Sequence, residues 1–245
     1  MLKKLFQEEW FIWKHWPFKR EISASRTECL KVTAIFLLFL AFIYHMTNQY
    51  GFLRLDVSWR PHTMFTMGDG SLLDRNIPFI PGTIHIYNTL LAFFFVHCFL
   101  YPLTQRGQHE VRILLQTQIL LTCTATIFFV LLPSPVDMRD QVQNVLQDMN
   151  HGAFHKRLFE TLYFIDTHYN SWPCLHIAHP LLITLTVQKW LQKPISKIIL
   201  WTWVVLLLVS IATTKQHFVW DLLTGIITGL ILYKISIGAL RKVKA

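Results

Sequence analysis

Six apolar stretches, each about long enough to cross a bilayer, constrain this chain more than any other feature. They cover roughly residues 29–47, 80–102, 111–132, 174–191, 197–214 and 218–240. A transmembrane helix needs about 20 mostly apolar residues, so the pattern predicts an all-α, polytopic membrane protein with six transmembrane helices. Pro81, Pro102, Pro133, Pro173 and Pro194 fall at or near the edges of these stretches, where a proline ends a helix at little cost. Composition agrees: 53% of the 245 residues are hydrophobic and 15% charged, against roughly 25% charged in soluble domains. The same figures exclude disorder. Cys29, Cys98, Cys123 and Cys174 are too few and too scattered for a disulfide scaffold, and no CxxC pair is present.

Ahead of the first span, LKKLFQEEWFIWKHWPF spaces Leu2, Leu5, Phe6, Trp10, Trp13 and Trp16 near the helical period. The expectation is an interfacial amphipathic helix within an N-terminal segment, residues 1–28, ahead of one membrane domain, 29–245. A partly ordered tail is the alternative. The segment is long, charged and aromatic, unlike a cleavable signal peptide. Orientation follows Lys and Arg. One face holds 16 of the 23 basic residues and five of the 14 acids, Glu8, Glu9, Glu21, Glu28 and Glu110. That face takes both termini, so both are expected in the cytoplasm, with the loops 48–79 and 133–173 in the periplasm or a lumen. The net charge of +9 is then an orientation signal, and no nucleic-acid partner is expected.

Ionisable residues at span mouths are functional candidates by default, and three groups collect at the outer ends of the last four spans. Arg139 lies in PSPVDMRD (133–140), His176 and His179 in YNSWPCLHIAHP (169–180), and Lys215, His217 and Asp221 in TTKQHFVWDLLTG (213–225). The spacing of four between His217 and Asp221 predicts one shared helix face. There the carboxylate fixes the imidazole tautomer and leaves the other nitrogen nucleophilic. His176, on another helix at the same depth, could supply or remove a proton. Arg139 and Lys215 add positive charge, and a helix N-terminus under His217 would add N–H groups for an anion. This set suits phosphoryl transfer.

At these residues the sequence resembles the type-2 phosphatidic acid phosphatase superfamily. YNSWPCLHIA is similar to its second signature and TTKQHFVWDLLTG to its third. The fuller strings, with LDRNIPFIP (73–81) and the arginine after span three, resemble the branch that includes inositol phosphorylceramide synthase. The resemblance runs from about residue 73 to 230. It implies that His217 attacks phosphorus to give a phosphohistidine, that Asp221 orients it, that His176 protonates the leaving alkoxide and that Arg139 binds phosphate oxygens. Cys174 stands where relatives carry a phosphate-contacting serine, and a thiol is a weaker donor. Asp140 follows Arg139 where many relatives have proline, Leu132 replaces a lysine, and Ile211 replaces an arginine that Lys215 is expected to cover.

The remaining polar residues have plainer readings. Asp166, Tyr169, Asn170 and Ser171 could touch a lipid headgroup, with loop capping by Asn170 and Ser171 the alternative. HxxH (His176, His179) with HxxxH (His151, His155) invites a metal site, but the boxes do not repeat as in membrane di-iron enzymes, so no metal or other cofactor is assigned. His179 reads as a polar neighbour of the pocket, and His45, His85 and His97 as groups bonding helices together. Gly225 and Gly229 form a GxxxG pair for close helix packing. The expectation is a metal-independent lipid phosphatase of the bacterial inner membrane, with a phospholipid or lipid phosphate entering from the outer leaflet. A headgroup phosphotransferase and a non-catalytic lipid-binding protein are the alternatives.

Overall fold

The computed structural model describes residues 2–15, 25–49, 60–67, 72–148 and 153–242. Apart from one isolated bridge between Thr66 and Leu72, it is helical throughout its regular structure. Seven longer helices form the frame: α1 (Arg26–Gln49), α2 (Gln105–Leu131), α3 (Arg139–Asp148), α4 (Ala153–Ile165), α5 (Leu175–Val187), α6 (Pro194–Thr213) and α7 (Val219–Ile235).

Among the described residues four helical runs are long and apolar enough to cross a membrane: α1, α2, α6 and Val219–Leu240, which is α7 with its continuation. The count of six therefore does not appear as six continuous helices. The stretch 80–102 is a 3-10 turn, Pro81–Thr83, followed by three short helices, Ile84–Asn88, Leu90–Phe93 and Val96–Leu100. Thr89 marks the first break. Its hydroxyl donates to the Ile86 carbonyl at 2.6 Å and accepts from Trp203 Nε1 at 2.8 Å, the back-bonding that bends helices. The fourth stretch gives α5, 13 residues long, or about 20 Å at 1.5 Å per residue.

That short helix is the centre of the molecule. Eleven of its 13 residues are buried, which explains why it is apolar all round instead of on one face. α7 packs closely on it. A Cβ on Gly225 would lie 2.5 Å from the Cys174 carbonyl oxygen, and one on Gly229 3.2 Å from that of Ala178. The GxxxG pair thus lets two backbones meet at the start of α5. On the outside, large apolar side chains such as Leu38 and Phe42 stand 73% and 62% exposed, which suits contact with lipid and not water.

The N-terminal segment differs from the expected single helix. It comprises a short helix, Leu2–Phe6, and a 3-10 turn, Phe11–Lys14; Trp16 lies outside the described residues. Gln116 of α2 explains the break. Its side-chain oxygen accepts from Trp13 Nε1 at 3.0 Å and its amide donates to the Glu8 carbonyl at 2.8 Å. Glu9 pairs with Arg112 at 2.9 Å. The segment is held by side chains of the bundle, and Trp13 is buried in it.

Candidate active site

Helix ends and loops from distant parts of the chain converge around two imidazoles. His176 Nδ1 lies 2.7 Å from His217 Nε2, although 41 residues separate them. His176 sits in the first turn of α5, and His217 sits in the loop just before α7. The Gly225 contact described above brings these two chain segments together.

Asp221 approaches His217, but not across a helix face. His217 precedes the helix, Phe218 is its N-cap, and Asp221 reaches back from the first turn to accept the Phe218 N–H at 2.9 Å. The same Oδ2 lies 3.6 Å from His217 Nδ1. His217 Nδ1 and Asp221 Oδ1 have no hydrogen-bond partner among the described residues. The spacing of four juxtaposes the two groups through a capping turn.

The start of α7 is also occupied differently from expectation. Its Val219 N–H donates to Asp74 Oδ1 at 2.6 Å, so the N–H groups of Phe218 and Val219 both serve protein carboxylates instead of facing an anion. Asp74 belongs to LDRNIPFIP, and this segment clamps the third signature from outside. Ile80 N–H donates to the Thr213 carbonyl at 3.0 Å, and the Thr83 and Thr213 hydroxyls meet at 2.8 Å. Burial raises the Asp74 pKa above the ordinary carboxylate value, and the bond from Val219 works against that rise.

Lys215 joins this clamp. It is 1% exposed, has a left-handed φ of 59°, and donates from Nζ to the carbonyls of Asp74, at 2.7 Å, and Ile77. Burial lowers its pKa, with the Asp74 carboxylate pulling the other way. The expected replacement for the arginine missing at Ile211 therefore directs its ammonium to the 74–77 turn. Ile211 itself is core, 1% exposed.

Arg139 opens α3 and turns inward. Its guanidinium lies 4.0 Å above the Tyr163 ring and donates from Nη2 to the Asp166 carbonyl at 2.7 Å. Burial lowers its pKa, opposed by Tyr163 and Asp166. Asp140 pairs with Arg75 at 3.2 Å, which ties the arginine loop to the same clamp. Asn170 and Ser171 bond to distant parts of the chain: the Asn170 amide donates to Thr47 Oγ1 at 2.9 Å, and Ser171 Oγ donates to the Ser134 carbonyl. Tyr169 lies against His168, ring centroids 4.1 Å apart.

Asp166 is the residue whose position the sequence undervalued. Its side chain accepts from Tyr44 Oη at 2.6 Å and Asn48 Nδ2 at 3.0 Å, and lies 3.5 Å from His176 Nε2. Tyr87 Oη is 3.2 Å from the same nitrogen. A signal existed: Tyr44, Thr47 and Asn48 form a polar stripe at the end of an apolar helix, and polar groups at membrane depth mark function.

Two groups of three possible metal ligands occur among the described residues. Nitrogen and sulfur atoms of Cys174, His176 and His217 lie within 4.8 Å of one another, as do those of Cys29, His97 and Cys98 towards the other end of α1. The HxxH reading does not assemble: His179 Nε2 bonds Thr122 at 3.1 Å, and His155 packs against His85, 5.2 Å between rings. His151 lies outside the described residues. His97 bonds Thr33 across helices at 3.1 Å as expected, whereas His45 and His85 are exposed.

Beside the histidine pair runs an apolar cavity of about 330 Å³. Leu37, Leu40 and Tyr44 of α1 line it together with Leu90, Leu91 and Phe94, and its polar lining includes Asp166, His176 and His179. A search of curated proteins and of solved structures finds no match to this chain. The sequence model of the PAP2 superfamily matches residues 75–235, which contain both histidines, Arg139, Asp166 and Asp221. The match covers well over half of the chain, and the chain belongs to the PAP2 superfamily.

Proposed function

We propose that this membrane protein is a lipid phosphatase that hydrolyses a phosphate monoester through a phosphohistidine on His217. Membership of the superfamily supports phosphatase or phosphotransferase chemistry on lipid phosphoesters in general. The observation that carries the narrower reading is the pair of imidazole nitrogens 2.7 Å apart, one of whose rings, His176, lines an apolar cavity. Lipid chains fill the cavity, and the phosphate parts the two rings.

His217 Nε2 then attacks phosphorus, and the bond from phosphorus to the lipid oxygen breaks. His176 gives its Nδ1 proton to the departing alkoxide. Asp221 holds His217 through Nδ1, which keeps Nε2 unprotonated for attack. Arg139 has one of its five N–H donors on the Asp166 carbonyl and turns others to the phosphate oxygens. Water attacks the phosphohistidine next, giving its proton to His176, and phosphate leaves. Cys174, N-cap of α5, lies within reach as a weak donor. No step in this scheme calls for a metal ion. We read the distribution of Lys and Arg as turning the site to the periplasm or a lumen across a bacterial inner membrane, crossed six times when the stretches 80–102 and 174–191 are counted.

The test uses purified protein with a panel of lipid phosphates, with and without diacylglycerol or ceramide as acceptor. Phosphate release that disappears in His217→Ala supports the reading, as does an acid-labile phosphoprotein trapped in the wild type. Release that persists in His217→Ala removes it. Transfer to the lipid acceptor without free phosphate moves the chain to the headgroup phosphotransferases, towards which its resemblance to the inositol phosphorylceramide synthase branch leans.

A further inference from the structure

We infer that Asp166 is a second orienting carboxylate, positioning His176 as Asp221 positions His217, and that α1 is part of this machinery. The inference rests on the phosphoryl-transfer reading above. Each imidazole uses one nitrogen towards the other ring and has a carboxylate beside its remaining nitrogen: Asp221 3.6 Å from His217 Nδ1, and Asp166 3.5 Å from His176 Nε2, where Tyr87 Oη also stands at 3.2 Å. The four groups thus form a chain of carboxylate, imidazole, imidazole, carboxylate.

The carboxylate of Asp166 is itself aimed. Tyr44 and Asn48 both donate to Oδ1, which leaves Oδ2 as the atom facing His176. Its backbone carbonyl takes the Arg139 guanidinium, so one residue fixes the imidazole and the cation together. A direct headgroup contact is the poorer account, because a carboxylate repels phosphate and its Oδ1 is already occupied. When His176 gives up its Nδ1 proton, the Nε2 proton stays with Asp166. The leaving alkoxide gains a proton, and His176 returns from imidazolium to neutral imidazole. Tyr44 and Asn48 stand on α1, before the residues that the superfamily match covers, so this chain supports its acid from a helix outside that match.

An acid matters in proportion to how poor the leaving group is, and that gives a readout that general loosening of the fold would not copy. Two substrates are compared on purified full-length protein, an alkyl lipid phosphate and p-nitrophenyl phosphate, whose phenolate leaves without protonation. For Asp166→Asn, kcat on the alkyl substrate is expected to fall about 100-fold, the lower end of general acid catalysis, and on the aryl substrate by only a few-fold. Tyr44→Phe, which keeps the ring, follows the same selectivity with a smaller loss, and serves if Asp166→Asn does not fold. Asp166→Glu restores part of the alkyl rate. Equal losses on both substrates, or no loss on either, overturn the inference. Activity that survives His217→Ala instead overturns the underlying reading.

Discussion

The two imidazole–carboxylate pairs reach similar separations by opposite routes. His217 and Asp221 are four residues apart and meet through the capping turn of α7, with Asp221 0% and His217 3% exposed. His176 and Asp166 are ten residues apart, separated by a loop, and meet because α1, α3 and α5 surround Asp166. A local pair survives as long as one helix start survives. A pair built from several helices survives only while those helices stay packed. The nucleophile side of the proposed site is thus intrinsically robust, and the acid side depends on the whole bundle.

The sharpest way to break this comparison is Asp221→Asn, which keeps an acceptor for the Phe218 N–H while removing the charge beside His217. A catalytic loss of about 10³-fold or more is expected, by analogy with a triad whose aspartate is amidated, with little change in thermal stability. Loss of stability in place of rate would make Asp221 a cap alone. Next comes Gly225→Ala, whose Cβ meets the Cys174 carbonyl at 2.5 Å. It should cost about 3 kcal/mol, the upper range for overpacking, and part the two histidines. Gly229→Ala, at 3.2 Å, should cost visibly less. Thermal unfolding of the two variants side by side checks the order.

Lys215→Met tests whether that side chain clamps or binds phosphate. Losing its bonds to the Asp74 and Ile77 carbonyls is expected to cost about 2 kcal/mol, as for bonds to charged groups, with KM for the lipid phosphate unchanged. A raised KM at unchanged stability would return Lys215 to the phosphate. The smallest effect concerns His62, stacked on Phe218 with ring centroids 3.6 Å apart. Burial lowers its pKa from the ordinary 6.5, so the fold prefers the neutral ring. The unfolded chain takes up a proton first as pH falls, and stability present above about pH 6.5 is lost towards the lower folded value. His62→Phe should remove that acid loss, a difference of about one or two degrees in Tm between pH 7 and 5.

The helical class and the membrane setting could be read from the sequence, because hydropathy runs follow from backbone geometry. That His176 meets His217, 41 residues on, was expected from their common depth and from the family resemblance. Asp221 was legible because short spacings also follow from backbone geometry, though the face it was assigned to was wrong. The apolar stretches 80–102 and 174–191 looked like the others. Thr89 bends one, and α5 is short because it is buried in the bundle. The contacts of Lys215 were not legible, and those of Asp166 were signalled only by the polar stripe of Tyr44, Thr47 and Asn48. Both have side chains whose partners come from elsewhere in the chain, Asp74 and Ile77 in one case and Tyr44 and Asn48 in the other.

By itself, then, the sequence determined where helices run, that lipid surrounds them, and which residues stand within one turn of each other. Covalent geometry and apolar burial act locally, and a string of residues records them. Only the tertiary structure decided which carboxylate faces His176, where the Lys215 ammonium goes and what fills the start of α7. A buried polar group must find a partner wherever the packed helices bring one within about 3 Å, and that choice belongs to the assembled bundle.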